Sequence, residues 1–174
     1  MTITTARVLT VRQPWATLIA TGRKRIETRA VPTKYRGPVL IHAGLRKADV
    51  TETGRGPWEP LLSPDGITLT HPLVFGFVIA VADLVDSLPI VNIHEDKMAP
   101  FCVANVWGDV HAMLTGEHQR MFPAEVPLGD FTPGRHGWLL DNVHPVAPIR
   151  WKGALGLRHA PDELLAQLPT EVLA

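Results

Sequence analysis

The sequence has a single cysteine, Cys102, among its 174 residues, and this scarcity excludes two kinds of structure. Neither an internal disulfide nor a zinc site built from several thiolates can form. The eight histidines are scattered and lack the His-Glu-x-x-His spacing of a helical metal site. We therefore expect neither a metal ion nor any other cofactor.

Long apolar runs are also lacking. No stretch approaches the roughly 20 apolar residues that a bilayer-spanning helix needs. Residues Met1 to Arg12 lack the apolar core of a secretion signal. The sequence therefore predicts a soluble, cytoplasmic protein with no membrane partner.

Several catalytic fingerprints are missing as well. The chain has no Gly-x-Ser-x-Gly nucleophile elbow and neither of the glycine-rich patterns that bind phosphates of nucleotides. These absences disfavour a serine hydrolase of that type, a nucleoside triphosphatase and a Rossmann-type oxidoreductase.

The charge is neutral in total but unevenly distributed. The chain has 17 basic and 17 acidic side chains, whereas residues 1–50 contain ten basic and two acidic ones, which gives 10 − 2 = +8. A split of this size indicates a surface that attracts anions. Alternatively, the two parts of the chain interleave in space and their charges cancel.

The pattern of apolar residues, with 16 prolines and 14 glycines, predicts a mainly β fold of short elements. We expect a single domain over residues 1–174, with a long loop excursion at about 44–72 and a second loop at 122–135. The predicted fold is a small β-barrel with short α-helices at its rim. The predicted strands lie at 7–11, 25–29, 39–43, 73–84, 101–107 and 137–143, with an extended piece at 148–157 and helices at 13–22 and 161–168.

The segment from Gly22 to Arg29 carries the clearest chemical signal. Lys24, Arg25 and other cations surround the single carboxylate of Glu27, which favours its ionised form and makes it a poor general acid at neutral pH. An ionised carboxylate can accept a hydrogen bond from the exocyclic amine of a base while neighbouring cations contact phosphate. The alternative is an ion pair of Glu27 with Arg25 or Arg29 on a solvated strand.

A second basic segment follows. Lys34, Tyr35 and Arg36 place an aromatic ring between two cations in a loop bounded by Pro32 and Gly37. Grooves for single-stranded nucleic acid combine cations for the backbone with rings that stack on bases. Alternatively, Tyr35 packs on the fold and the cations are solvated.

Two further aromatic side chains can line a site or belong to the core. Trp15 shares an apolar helical stripe with Leu18 and Ile19, which favours a core position. His42 follows an apolar run and can line a cleft, but a purely structural role as a buried, hydrogen-bonded histidine is favoured.

Taken together, these motifs resemble the ASCH family, the activating-signal-cointegrator homology domains. The resemblance rests on Leu9-Thr10-Val11-Arg12-Gln13-Pro14-Trp15-Ala16 and on Gly22-x-Lys24-x-x-Glu27-x-Arg29. Similar segments follow at 35–37, 40–43, 137–143 and 148–149. The resemblance implies a PUA-like β-barrel, a relative of domains that bind RNA, with a cleft lined by Lys24, Glu27 and Arg29 and flanked by Gln13 and Trp15.

The resemblance leaves three functions open. The first is binding of RNA, single-stranded nucleic acid or a (modified) nucleotide or nucleoside in the cleft. The second is hydrolysis of nucleic acid or a nucleoside, with Lys24 and Glu27 as the catalytic candidates. The family branch that hydrolyses acetylated cytidine has a threonine where this chain has Glu27, and Thr28 would face the other side of the strand. The third is a coactivator-type interaction module that uses the 44–72 loop and Trp58.

The predicted ligand-contacting residues can be stated as one set. They are Gln13, Trp15, Lys24, Arg25, Glu27, Arg29, Lys34, Tyr35, Arg36 and His42. No metal ligand is predicted, and the sequence predicts no oligomeric state.

Overall fold

The computed structural model describes residues 5–47, 73–92, 102–104, 110–112 and 128–172. Trp58 and most of the predicted 44–72 loop lie outside these residues, as do residues 122–127 of the 122–135 loop and the ends of the predicted 101–107 strand. The described part of the chain is mainly β with a few short helices.

The strands are β1 (Arg7–Gln13), β2 (Ile26–Arg29), β3 (Gly37–Lys47), β4 (Phe77–Asn92), β5 (Cys102–Ala104), β6 (Val110–Ala112), β7 (His136–Arg150) and β8 (Leu157–His159). The helices are α1 (Trp15–Ala20) and α2 (Asp162–Leu165), and a 3-10 turn spans Thr170–Val172. None of the helices in the described ranges has the length and apolar character required to span a membrane.

The described strands form one mixed sheet. Neighbours are hydrogen-bonded in the order β2-β7-β4-β3-β1-β8, while β5 pairs with β4 and β6 pairs with β5. Within the described residues this is an open path from β2 to β8, so closure into a barrel stays a prediction.

The chain groups into two compact units, which are described separately. Unit 1 comprises the described residues of Met1–Arg23, Gly37–Asp83 and Asp141–Ala174, and unit 2 those of Lys24–Arg36 and Leu84–Leu140. The prediction of a single domain is not tested by this grouping.

In unit 1, β1 pairs in parallel with β3 and antiparallel with β8. A parallel pair needs a long crossover connection, and the chain between β1 and β3 contains α1 and β2. Leu9, Val11 and Gln13 are buried at alternate positions of β1, as the sequence pattern predicts, and Val8 is buried as well. Apolar side chains of β1, β3, β4 and α2 form one core cluster of this unit: Ala6, Val8, Leu40, Val78, Val81, Ala160, Leu164, Leu165 and Leu168.

Helix α1 begins after Pro14 and ends near Gly22, as predicted. Gly22 has φ +73°, a left-handed conformation that glycine adopts without strain. Its N–H donates to the carbonyl oxygen of Ile19 at 2.8 Å, and the N–H of Arg23 donates to that of Leu18 at 2.9 Å. The closing turn therefore satisfies carbonyls that the helix end leaves unpaired.

Strand β3 spans Gly37–Lys47, beyond the predicted 39–43 and into the predicted 44–72 loop, and two further strands differ more from their predicted bounds. Strand β4 begins at Phe77 rather than at residue 73 and continues past residue 84 to Asn92. Strand β7 is continuous over His136–Arg150, where the sequence indicates a strand and a separate extended piece. Both strands contain proline, a residue that sequence reasoning treats as a strand boundary because it cannot donate to the ladder.

Gly76, just before β4, occupies a position whose backbone conformation and close neighbours favour glycine. Its φ is +80°, and a Cβ atom at this position would lie 3.3 Å from Leu45 Cδ2. Its N–H donates to Ala43 O at 2.7 Å, and its carbonyl accepts from Trp151 N at 3.1 Å. The backbone therefore approaches its neighbours closely at Gly76.

Candidate functional site

Strand β2 brings Glu27 and Arg29 of the Gly22–Arg29 segment to one face. It pairs antiparallel with β7, so that Glu27 lies opposite Trp138 and Arg29 lies opposite His136. The ladder continues one residue earlier, because Leu140 N donates to Arg25 O at 2.8 Å. Ile26 is fully buried, and by strand alternation Glu27 and Arg29 share the opposite face, as predicted.

Glu27 is the centre of an ion-pair network. Its Oε2 lies 3.6 Å from Lys24 Nζ, and its Oε1 lies 3.1 Å from an Nη atom of Arg29. The pairing with Arg29 is one of the two ion pairs that the sequence left open as the alternative to ligand binding. The carboxyl group of Glu27 therefore lies between two cations.

The three charged side chains of the network differ in the fraction that is exposed to solvent. Lys24 is 1% exposed, Glu27 12% and Arg29 25%. The ammonium of Lys24 also donates to the backbone carbonyl of Ile26. The buried Lys24 side chain contacts Glu27 rather than solvent, whereas Arg29 has the largest exposed fraction of the three side chains.

The guanidinium of Arg29 has an aromatic neighbour that the sequence analysis did not include in the site. Arg29 Cζ lies 5.7 Å from the centroid of the Trp138 ring, within the range of a cation–π interaction. Trp138 is buried, and its indole N–H donates to Val31 O at 3.1 Å. The only sequence signal for Trp138 is its position in a strand that resembles a family segment, because sequence alone does not show which strand pairs with β2.

The 32–36 loop is fixed by hydrogen bonds to its own backbone and to β4. Thr33 N–H donates to Ser87 Oγ at 3.2 Å, and Tyr35 N–H donates to Thr33 Oγ1 at 3.1 Å. Arg36 donates to Thr33 O and Tyr35 O and forms an ion pair with Asp86 at 2.5 Å. Lys34 and Arg36 are exposed and Tyr35 is half-buried, so this loop presents two cations, one of them paired with Asp86, and part of one ring to solvent.

A turn at residues 128–132 contacts the other face of β2. Asp130 N–H donates to Thr28 Oγ1 at 3.0 Å, and a Cβ atom at Gly129 would lie 3.0 Å from Thr28 Cγ2. Hydrogen bonding from the Thr132 hydroxyl holds the pKa of Asp130 below its usual value, and the positive charge of Arg135, 3.3 Å away, contributes in the same direction. Thr28 therefore contacts this turn, on the face of β2 opposite to Glu27.

Three of the predicted site residues lie in unit 1, and two of them are engaged with the backbone there. Gln13 Nε2 donates to Val74 O at 2.9 Å, and its Oε1 accepts from Thr17 N–H at 3.1 Å and from the Thr17 hydroxyl at 3.0 Å. Gln13 thus caps the first turn of α1 from outside the helix. Trp15 is half-buried on α1.

His42 is a buried side chain of β3, in line with the structural role that the sequence favours. Its Nε2 lies 3.0 Å from Trp151 O, which requires Nε2 to be the donor. A Cβ atom at Gly153 would lie 2.4 Å from the ring, so the 151–153 segment packs closely on it. Burial lowers the pKa of His42 from its usual value of 6.5 despite the hydrogen bond to Trp151.

The candidate site that the structure assembles lies in unit 2. It consists of the network of Lys24, Glu27 and Arg29 on β2, with Trp138 on β7. Arg25, Lys34, Tyr35 and Arg36 belong to the same unit, whereas Gln13, Trp15 and His42 belong to unit 1. Among the described residues, no group of three or more His, Cys, Asp or Glu side chains is arranged to hold a metal ion.

A comparison with protein families agrees with the resemblance seen in the sequence. Residues 9–85 match the family model of the ASCH domain. The chain contains an ASCH domain. This ASCH match begins within β1, includes α1, β2 and β3 and ends within β4, so Lys24, Glu27 and Arg29 fall inside it and Trp138 falls outside. A search of curated proteins found no significant match to the chain.

Proposed function

We propose that this ASCH-domain chain binds RNA, single-stranded nucleic acid or a (modified) nucleotide through the basic surface formed by residues 24–36. The observation that carries the proposal is the Lys24–Glu27–Arg29 network, in which Glu27 pairs with Arg29, a residue whose side chain is one-quarter exposed. A PUA-like barrel, the fold of related RNA-binding domains, is part of the same proposal.

The cations of this surface differ in exposure, which supports different roles in ligand binding. Arg29 and Lys34 contact phosphate, since both reach solvent, and the guanidinium of Arg29 can bind a phosphate with two parallel hydrogen bonds. Lys24 is buried and orients Glu27 instead of touching the ligand. Residues 24–36 contain five basic side chains and one acidic side chain, which gives 5 − 1 = +4 and favours a polyanionic ligand.

Glu27 and Tyr35 provide contacts to the base. A carboxylate has about four lone-pair sites, so Glu27 can accept from an exocyclic amine in addition to its two cations. Tyr35 is half-buried, and the hydrogen bonds of Thr33 and Arg36 fix the backbone on either side of it. A ring held in this way can stack on a base, which contributes about 1–3 kcal/mol.

The test is a fluorescence anisotropy titration with labelled single-stranded RNA and DNA, and competition by nucleotides and modified nucleosides. We expect binding that weakens as salt rises, with a log–log slope of about −0.7 for each phosphate contacted in a single strand. Arg29→Ala should weaken binding about tenfold, as expected for a charged hydrogen bond.

The matched control is Arg158→Ala, which removes an exposed arginine of unit 1. This variant should bind within about twofold of the wild type, since it loses only long-range attraction. The absence of binding to every probe at low salt contradicts the proposal. Equal losses in the two variants contradict the assignment of the site to unit 2.

Hydrolysis at the same site is the competing function, and the geometry supports it less well. The ammonium of Lys24 is 1% exposed and bonded to Ile26 O and Glu27, so it does not reach a substrate from its present position. Product analysis of the same incubations distinguishes the two functions. If the wild-type protein shows turnover and a folded Lys24→Ala variant does not, the function is hydrolysis and the proposal of a binding function alone is wrong.

A further inference from the structure

Trp138 contacts both elements of the proposed ligand-binding surface. It lies on β7 directly opposite Glu27, outside the segment that matches the ASCH family. Its ring faces Arg29 at 5.7 Å, and its indole N–H donates to Val31 O at 3.1 Å. Val31 lies between β2 and the 32–36 loop, so one side chain touches the charged network and the start of that loop.

The guanidinium of Arg29 is held from two directions. Glu27 Oε1 binds one Nη atom at 3.1 Å, and the Trp138 ring lies beside the central carbon. An arginine side chain has many rotamers, and ligand binding otherwise has to remove this conformational freedom. A guanidinium that is oriented before the ligand arrives loses less of this freedom on binding.

The hydrogen bond to Val31 fixes the second element. Val31 itself is 62% exposed, so burial of its side chain contributes little to holding the backbone there. The bond from a buried indole N–H anchors its carbonyl and thereby the entry to the loop that carries Lys34 and Tyr35. Since Trp138 is 4% exposed, it does this without offering its own ring to the ligand.

We propose that Trp138 is the positioning residue of this surface: its ring orients Arg29, and its indole N–H fixes the 32–36 loop relative to β2. This inference rests on the proposed function. It differs from a role in the core alone, since a core residue would affect stability without an energetic link to Arg29.

The first test needs no ligand. The Arg29 Nε–H and Hδ resonances, assigned by their loss in Arg29→Ala, should show an upfield ring-current shift in the wild-type protein. The shift should persist in Trp138→Phe, which keeps a ring, and disappear in Trp138→Leu. Wild-type resonances at the positions of a solvated arginine would overturn the inference whatever the variants do.

The second test is a double-mutant cycle on the affinity for a labelled single-stranded RNA. Trp138→Leu should weaken binding about three- to tenfold in the wild-type background, the range expected for a cation–π contact. The same substitution should cost only about twofold in the Arg29→Ala background, because the ring then has no guanidinium to orient and only the bond from the indole N–H to Val31 O is lost. Trp138→Phe should lie between Trp138→Leu and the wild type.

The outcomes separate the two proposals. If no probe binds the wild-type protein but the Arg29 ring-current shift is present, the proposed function fails and the positioning of Arg29 stands as a structural fact. If RNA binds and the effects of Trp138→Leu and Arg29→Ala are additive, the proposed function stands and the positioning role is overturned. Thermal unfolding of each variant confirms that the molecules compared are folded.

Discussion

The two units use polar side chains of the same ASCH segment in different ways. In unit 1, Gln13 and His42 are each 1% exposed and bond to the backbone at Thr17, Val74 and Trp151. In unit 2, Lys24, Glu27 and Arg29 bond to one another, and their exposure rises along the series. The comparison teaches that the first part of the motif builds the scaffold, while the second part carries the charge that can meet a ligand.

Glu27→Gln gives the largest expected loss of stability and tests the unit 2 network. The substitution removes the carboxylate that lies 3.6 Å from the buried ammonium of Lys24. Breaking a buried ion pair from one side costs about 3 kcal/mol, and we expect this loss in urea unfolding. Lys24→Met in the same chain should recover at least half of it by removing the second charge.

The control for Glu27→Gln is Glu163→Gln, which changes an exposed carboxylate of α2. It should alter the free energy of unfolding by less than about 0.5 kcal/mol. A double variant that is no more stable than Glu27→Gln alone would show that the charge of Lys24 is compensated by other groups.

Gln13→Leu tests the scaffold role of unit 1. It leaves Val74 O and Thr17 N–H without the Gln13 amide, and each buried unsatisfied group costs about 1–3 kcal/mol. We expect a loss of about 2 kcal/mol in urea unfolding and RNA affinity within twofold of the wild type. Thr21→Val, which removes an exposed hydroxyl bonded to the same helix, is the control. A selective loss of affinity in Gln13→Leu would place Gln13 in the binding site and break the comparison.

His42 makes unit 1 sensitive to acid. Because burial lowers its folded-state pKa below 6.5, the unfolded chain binds more protons as the pH falls. The contribution of His42 is therefore complete above pH 6.5 and is lost as the pH falls below that value, at no more than about 1.4 kcal/mol per pH unit.

The measurement is urea unfolding as a function of pH in His42→Gln and in His144→Gln, which replaces an exposed histidine. His42→Gln should show a shallower fall of stability below pH 6.5, while His144→Gln should follow the wild type. Parallel curves for the wild type and His42→Gln would mean that acid acts on another group.

Asp86→Asn gives the smallest expected effect. Asp86 and Arg36 form an ion pair with 30% and 40% of their side chains exposed. Pairs this exposed contribute little, so the loss in thermal unfolding should be about 0.5 kcal/mol or less. A loss as large as that of Gln13→Leu would show that the 32–36 loop belongs to the scaffold and would sharpen the boundary between the two roles.

Much of the secondary structure follows from local sequence patterns. The alternation in β1, the proline and glycine that bound α1, and the inward Ile26 of β2 predicted these elements where the structure has them. The continuous strand β7 was not predicted, because Pro145 and Pro148 indicate a break when considered locally. Pairing with neighbouring strands overrides that local preference.

The candidate site was predicted in part. Glu27 and Arg29 stand out because charges at alternate strand positions share a face, and Lys24 stands out as part of the Gly22-x-Lys24-x-x-Glu27-x-Arg29 pattern. Trp138 did not stand out, since its relation to Glu27 exists only in the register of β2 and β7, which are separated by more than 100 residues in the chain.

The sequence by itself determined which residues are charged, which alternate and where the chain turns, because these properties depend on neighbours within a few positions. Only the tertiary structure decided that Lys24 is buried, that Arg29 keeps an exposed edge and that Trp138 lies beside it. Burial and strand register depend on contacts between distant segments, and no local pattern encodes them.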